Sequence, residues 1–179
     1  MTLVIVTVVL GLIHTGTYDT WNEALIKGVF HAVSIGTTTG FSTAEFYFWP
    51  PFLTILLLFA SFVGGCAGST GGGIKVIRFL LLIKQGVREI ERLIHPNAQI
   101  PVRVGGKSVN HRVVDAVWGF FSLYIACFVV MYLLLAATGL DLVTAFSAVA
   151  ACINNLGPGL AQVGAHYAVL EEPAIWVLC

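Results

Sequence analysis

Two short tracts carry what chemistry this sequence offers. Ser34 to Phe41 reads SIGTTTGF, and Asn154 to Gly159 reads NNLGPG. The apolar segments around them hold no paired carboxylates, no His/Cys cluster and no nucleophile beside a base, so an enzyme active site has no residues to be built from. The tracts offer backbone instead. Three threonines and a glycine make a poor helix interior, and an extended Thr-Thr-Gly-Phe can turn its carbonyls toward a common axis. Rings of such carbonyls replace the hydration shell of a monovalent cation. Glycine suits such a loop because it reaches backbone angles that a side chain forbids.

The surroundings place this chemistry in a membrane. The 179 residues are 58% hydrophobic and 10% charged, against about a quarter charged in soluble domains. The expected fold class is an all-α membrane protein, with no nucleic-acid partner. A formal net charge of zero hides an asymmetry: eight of the nine Lys/Arg lie between Lys75 and Arg112. Asp19, Glu23, Glu45, Asp141, Glu171 and Glu172 lie in the loop regions on either side, opposed only by Lys27. Positively charged loops stay in the cytoplasm, so the 75–112 segment is expected inside and the acidic loops outside, where they concentrate cations. Cys66, Cys127, Cys152 and Cys179 stand singly, without metal-pair spacing, and read as small apolar packers. The opening residues do not read as a signal peptide.

A spanning helix needs about 20 apolar residues. Val113–Ala137 is a full span. Trp49–Ile83 is long enough but glycine-broken. Thr2–Ile13 and Tyr167–Cys179 are short, so the sequence reads as truncated at both ends. Two shorter helices remain. One opens at the capping box Thr20-Trp21-Asn22-Glu23 and covers about 20–34; the other follows the N-cap Asp141 and runs to about Ile153. Each reaches about 20 Å, too little to cross a bilayer, so each should dip in from outside and stop part-way. Their C-termini, partly negative, would favour a cation. Thr15-Gly16-Thr17-Tyr18-Asp19 resembles Thr138-Gly139-Leu140-Asp141, and setting Gly40 against Gly157 aligns the two polar tracts. The unit is span, half-helix, polar loop, span: a first repeat over 1–83, a cytoplasmic basic loop over 84–112 and a second repeat over 113–179. Its repetition argues against an ordinary helix–helix turn.

The glycine break, GGCAGSTGGGIK from Gly64 to Lys75, invites a nucleotide-loop reading. Ile74 stands where the lysine of that motif belongs, and no strand precedes it. Gly64, Gly68 and Gly72 have the small-xxx-small spacing of close helix packing. The glycine density exceeds that need, at up to about 1 kcal/mol of helix destabilisation each, so the helix should break. Counted from Pro51, Val63 lies about 18 Å deep, which puts the break on the cytoplasmic side of the polar loops.

The combination HAVSIGTTTGFST (His31–Thr43), GGCAGSTGGGIKVIR (Gly64–Arg78) and NNLGPG resembles the Trk/Ktr/HKT superfamily of potassium transporters over essentially the whole chain. The resemblance implies four membrane–pore–membrane repeats with re-entrant half-helices around one pore, of which this chain holds the third and most of the fourth. It implies a selectivity filter at Thr37, Thr38, Thr39, Gly40 and Phe41 and at Asn154, Asn155, Leu156, Gly157 and Pro158. It implies an intramembrane gate at Gly64, Gly65, Gly68, Ser69, Thr70, Gly71, Gly72 and Gly73, with the Ser69 and Thr70 hydroxyls facing the path. Potassium would be the substrate, with no cofactor bound by this chain. A homodimer in a bacterial inner membrane, with a cytosolic nucleotide-binding regulatory subunit on the basic loop, completes the expectation. The second tract departs further from a potassium-channel pattern, so a sodium or mixed monovalent cation path stays open, as does a non-conducting fragment.

Other residues read more plainly. Lys75 and Arg78 suit anchors that snorkel to the interface. Arg88, Glu89, Glu91 and Arg92 suit a solvated helix face. His31 suits packing or a local hydrogen bond. Trp21, Tyr47, Trp49 and Tyr167 suit an aromatic belt.

Overall fold

The computed structural model describes every residue except Ala67, Pro96, Asn97, Gln99 and Ala165. The chain folds as two helical repeats joined by a segment of helix and hairpin. The first comprises α1 (Thr2–His14), α2 (Trp21–Gly36) and α3 (Pro51–Val63); α4 (Val76–Ile94) follows the glycine break. A two-stranded hairpin, β1 (Arg103–Val104) and β2 (Lys107–Ser108), leads to α5 (His111–Ala137), α6 (Leu142–Ile153) and α7 (Glu172–Leu178). Only α5 is both long and apolar enough to cross a membrane, by length and composition, among the described residues.

The repeats share local chemistry. After α1 and after α5 the chain turns at a glycine with positive φ, Gly16 at 61° and Gly139 at 85°. In each the glycine N–H bonds back three residues, Gly16 to Ile13 and Gly139 to Ala136. The half-helices begin differently. The Asp141 carboxylate accepts from Val143 N–H at 3.2 Å, a made N-cap. Thr20 is the N-cap of α2, but its hydroxyl makes no capping bond. Glu23 pairs instead with Lys27 at 2.6 Å, the favoured i,i+4 order, which leaves the expected capping box without its reciprocal bonds.

One core joins the repeats. Val8 and Leu12 of α1, Ile35 of α2 and Leu57 of α3 cluster with Ala150 and Ala151 of α6 and with Leu156, all buried. The second repeat thus packs the end of its half-helix into the first. A second cluster ties Leu135, Val149 and Ala174 together within the second repeat.

Several expectations need correction. The helix expected to stop at Ile83 runs to Ile94, and the 84–112 segment is therefore largely regular structure. Its hairpin turns on Gly105 and Gly106, both at positive φ, as a two-residue hairpin loop demands. Leu81 of α4 packs on Val102, Val114 and Val117. That contact turns Gln85 and Arg88, one and two turns on, inward as well. Arg88 is 7% exposed, so the expected solvated face holds for Glu89 and Arg92, whose side chains are half-exposed and 3.4 Å apart, but not for Arg88. Trp49 is not a belt residue: it is buried, its indole N–H donates to Tyr18 Oη at 3.0 Å, and it packs edge-on against His31. Trp21 is exposed. The last helix starts at Glu172, five residues later than Tyr167, with proline in its first turn.

Removing the made cap should matter and removing the unmade one should not. Asp141→Ala is expected to destabilise the fold by about 1 kcal/mol, seen as a lower thermal midpoint in detergent, whereas Thr20→Ala leaves the midpoint in place. Equal shifts from the two would contradict the difference in capping.

Candidate functional site

The inner ends of α2 and α6 are built alike, bond for bond. Thr37 and Asn154 are the C-caps, donating to Val33 O at 2.9 Å and Ala150 O at 3.2 Å. Thr38 N–H donates to Ile35 O and Asn155 N–H to Cys152 O, both at 3.1 Å; Thr39 N–H donates to Ser34 O and Leu156 N–H to Ala151 O, both at 2.8 Å. This is the double bond set of a Schellman cap, whose first residue past the cap must be left-handed. Thr38 has φ 56° and Asn155 φ 51°. Asparagine tolerates that region; a β-branched threonine there is an outlier. Two residues on, Gly40 and Gly157 return to positive φ, at 82° and 96°.

The caps leave a defined set of free acceptors. Among the described residues, no hydrogen bond ends on the carbonyls of Thr37, Thr38, Thr39 or Gly40, nor on those of Asn154, Asn155, Leu156, Gly157 or Pro158. Phe41 differs, because its carbonyl accepts from the Ser34 hydroxyl at 2.6 Å. His31, fully buried, has Nδ1 2.8 Å from Lys27 O and Nε2 3.2 Å from Ala44 O. Ser34 and His31, one turn apart on α2, therefore hold the returning limb of the first loop. In the second loop Ser147 Oγ accepts from Leu160 N–H at 3.0 Å. The two loops touch: Gly40 lies so close to the Leu156 carbonyl that a methyl group on it would overlap the oxygen.

The helix breaks where the glycines predict, between Val63 and Val76. The excursion is stapled at its base by Ile74 N–H to Phe62 O (2.8 Å) and Val76 N–H to Gly65 O (3.2 Å). Its tip sits against both half-helix ends. Gly72 N–H donates to Thr38 Oγ1 at 2.9 Å, and the Asn154 carbonyl occupies the space a Gly72 side chain would need. Ser69 turns its hydroxyl onto Cys66 O at 2.8 Å, into the loop itself; Thr70 is exposed. Lys75 does not snorkel. Held at φ 70°, it folds its ammonium back onto Ser69 O (2.6 Å) and Gly71 O. Arg78 lies over the Phe120 ring, 4.4 Å from its centroid.

Two contributors were not visible in the sequence. Asn154 points its side chain away from the loop, its Oδ1 accepting from Tyr124 Oη at 2.7 Å and its Nδ2 donating to Ser61 Oγ at 3.4 Å. Tyr124, one of two tyrosines in the apolar span 113–137, was the available signal, since a buried hydroxyl needs a partner. Among the described residues no cluster of His, Cys, Asp or Glu could hold a metal ion.

A family profile described as TrkH, cation transport protein, matches residues 1–179. The chain is 58% identical over 165 residues to the Trk system potassium uptake protein TrkH of Vibrio parahaemolyticus, covering 92% of this chain and 33% of that one. It is 48% identical over 164 residues to TrkH of Escherichia coli K12, covering 90% and 34%. The chain spans about a third of the length of the curated relatives it matches. The crystal structure of the potassium transporter TrkH from Vibrio parahaemolyticus superposes with a TM-score of 0.91 at 54% identity, over 99% of this chain and 38% of that one.

The two loop glycines should respond differently to a methyl group. Gly157 has open space around it and Gly40 does not. Gly157→Ala is expected to cost only the left-handed backbone penalty, about 1–2 kcal/mol, and Gly40→Ala distinctly more, because the Leu156 carbonyl must move as well. Thermal unfolding in detergent ranks them; a larger loss at Gly157 would contradict the close approach.

Proposed function

This chain belongs to the TrkH family of cation transport proteins, and from that premise we propose that its two polar loops form half of a potassium-selective filter, with the 64–75 loop as the gate beneath it. The observation that carries the reading is the matched pair of capped half-helix ends. Each presents a run of carbonyls free of hydrogen bonds among the described residues, at Thr37–Gly40 and at Asn154–Pro158. Helix C-termini with unclaimed carbonyls are negative ends, and unclaimed carbonyls at membrane depth are tolerated where they line a water- or ion-filled path.

The ligand assignment is backbone at Thr37, Thr38, Thr39 and Gly40 in the first loop and at Asn155, Leu156, Gly157 and Pro158 in the second, while the Asn154 carbonyl at the head of that loop is turned against Gly72. Phe41 bounds the first loop, its carbonyl being held by Ser34. The gate reading of Gly64–Gly73 is supported by the double contact of Gly72 with Thr38 and Asn154. The names of the relatives suggest potassium uptake as the whole protein's activity. A bacterial inner membrane, a homodimeric assembly and a cytosolic nucleotide-binding subunit docked on the basic 75–112 segment complete the proposal.

The test uses a chimera in which this chain replaces the matching region of Vibrio parahaemolyticus TrkH, reconstituted in liposomes. The parent should pass potassium in preference to sodium. Gly40→Ser should lower that preference at least tenfold, because the loop cannot keep both its φ and its distance from Leu156. Unchanged relative uptake would refute the filter assignment, and equal uptake of both ions by the parent would favour a mixed monovalent cation path. Deleting Ser69–Gly71 from the chimera should raise flux and leave the ion preference intact. Folded deletion protein with unchanged or lower flux would refute the gate assignment.

A further inference from the structure

Asn154 is the one residue of the second loop that is fully buried with both side-chain polar atoms bonded. Tyr124 Oη on α5 donates to its Oδ1 at 2.7 Å, and its Nδ2 donates to Ser61 Oγ on α3 at 3.4 Å. Ser61 in turn donates to Leu58 O at 2.6 Å. Asn154 and Ser61 are fully buried and Tyr124 nearly so. The chain therefore runs from the second repeat, through the C-cap of α6, to the last turn of α3, and every donor in it has an acceptor.

Its two ends bracket the seat of the glycine-rich loop. On one side the Asn154 carbonyl lies against the Cα of Gly72. On the other, the Ser61 and Phe62 carbonyls crowd Gly73, and Phe62 O accepts from Ile74 N–H at 2.8 Å. The surfaces against which 72–74 rests are thus set by the residues that the chain ties together. The Asn154 side chain and carbonyl share one Cα, so the two bonds that anchor the side chain limit how far that Cα, and the carbonyl with it, can shift.

Resting on the gate reading above, we infer that Tyr124 is a positioning residue for the closed state. Its hydroxyl fixes the Asn154 amide, the amide fixes the carbonyl on which Gly72 sits, and Ser61 fixes the opposite wall. Tyr124 makes no hydrogen bond to the carbonyls assigned as ligands and acts through Asn154.

The TrkH chimera tests this. Tyr124→Phe keeps the ring and its edge-on contact with Phe62 while removing the hydroxyl. Resting potassium flux should rise roughly fivefold, the equilibrium factor carried by one ordinary hydrogen bond. Ser61→Ala, which loses the longer bond, should raise it about twofold. Because both act through one amide, the double variant should fall short of the product of the single effects. Tyr124→Phe within experimental error of the parent, or a double variant equal to the product, overturns the inference, since a packing role for the ring leaves Phe silent. If Tyr124→Phe does not yield folded protein, Ser61→Ala decides alone: a rise supports the inference and parental flux overturns it. A parent chimera without potassium-selective flux overturns the functional reading and this inference with it. Selective parental flux with unresponsive variants overturns this inference alone.

Discussion

Two helices of 16 and 12 residues end inside an apolar protein, and the rest of the structure answers the question of where their last carbonyls go. A buried acceptor left without a partner costs about 1–3 kcal/mol, so an interior helix end must be capped or given a ligand. Both are capped first, by the same three backbone bonds in each repeat, and the cap forces a left-handed residue. That residue turns the chain back on itself and brings the following carbonyls out in a row. The cap thus explains why the polar tract begins where it does and why a glycine falls two residues after the turn in both copies. It also explains why Ser34 and His31, or Ser147, must hold the returning limb: without those side chains, the limb would have no reason to stay extended.

The two copies differ in what they ask of the left-handed position. Asn155 meets the requirement with its own chemistry. Thr38 does not, and a left-handed β-branched residue costs about 1–2 kcal/mol. Its hydroxyl receives the Gly72 N–H at 2.9 Å, a bond worth about 1 kcal/mol net. The two magnitudes are comparable, so the seated loop offsets much of the strain at the corner it touches. Loop position and backbone strain at the first half-helix end are therefore linked, and withdrawing the loop leaves Thr38 strained and Gly72 without its acceptor.

Much of this was legible in the sequence. Hydrophobicity, the N-cap residues and the Gly40/Gly157 alignment foretold the membrane fold, the two short helices and the likeness of their ends, because each is a local or compositional signal. The glycine cluster foretold the break for the same reason. What failed was orientation. Arg88 was assigned to solvent because arginine usually lies there, yet the contact of Leu81 with α5 fixed the helix rotation and carried Gln85 and Arg88 inward. Trp49 was assigned to a membrane belt, but a tertiary neighbour, Tyr18, met its indole. The Asn154 side chain could not be oriented at all without its partners, which lie 30 and 93 residues away along the chain.

Lys75 shows how one residue can satisfy a loop that has no secondary structure of its own. Between Val63 and Val76 the backbone lacks a helical ladder, so its carbonyls need other donors. The Lys75 ammonium supplies several donors at once and reaches the carbonyls of Ser69 and Gly71. Carbonyl oxygens around a monovalent cation can replace its hydration shell; in the glycine-rich loop the cation is covalently attached. A tethered cation makes the loop electrically self-sufficient. The ammonium satisfies carbonyls of its own loop and calls for no ion from outside. Holding the ammonium there places Lys75 at φ 70°, a left-handed angle for a residue with a long side chain. The position of the ammonium and the strain at its own backbone are thus parts of one arrangement, which adds to the bonds that Gly72, Ile74 and Val76 make from the same loop.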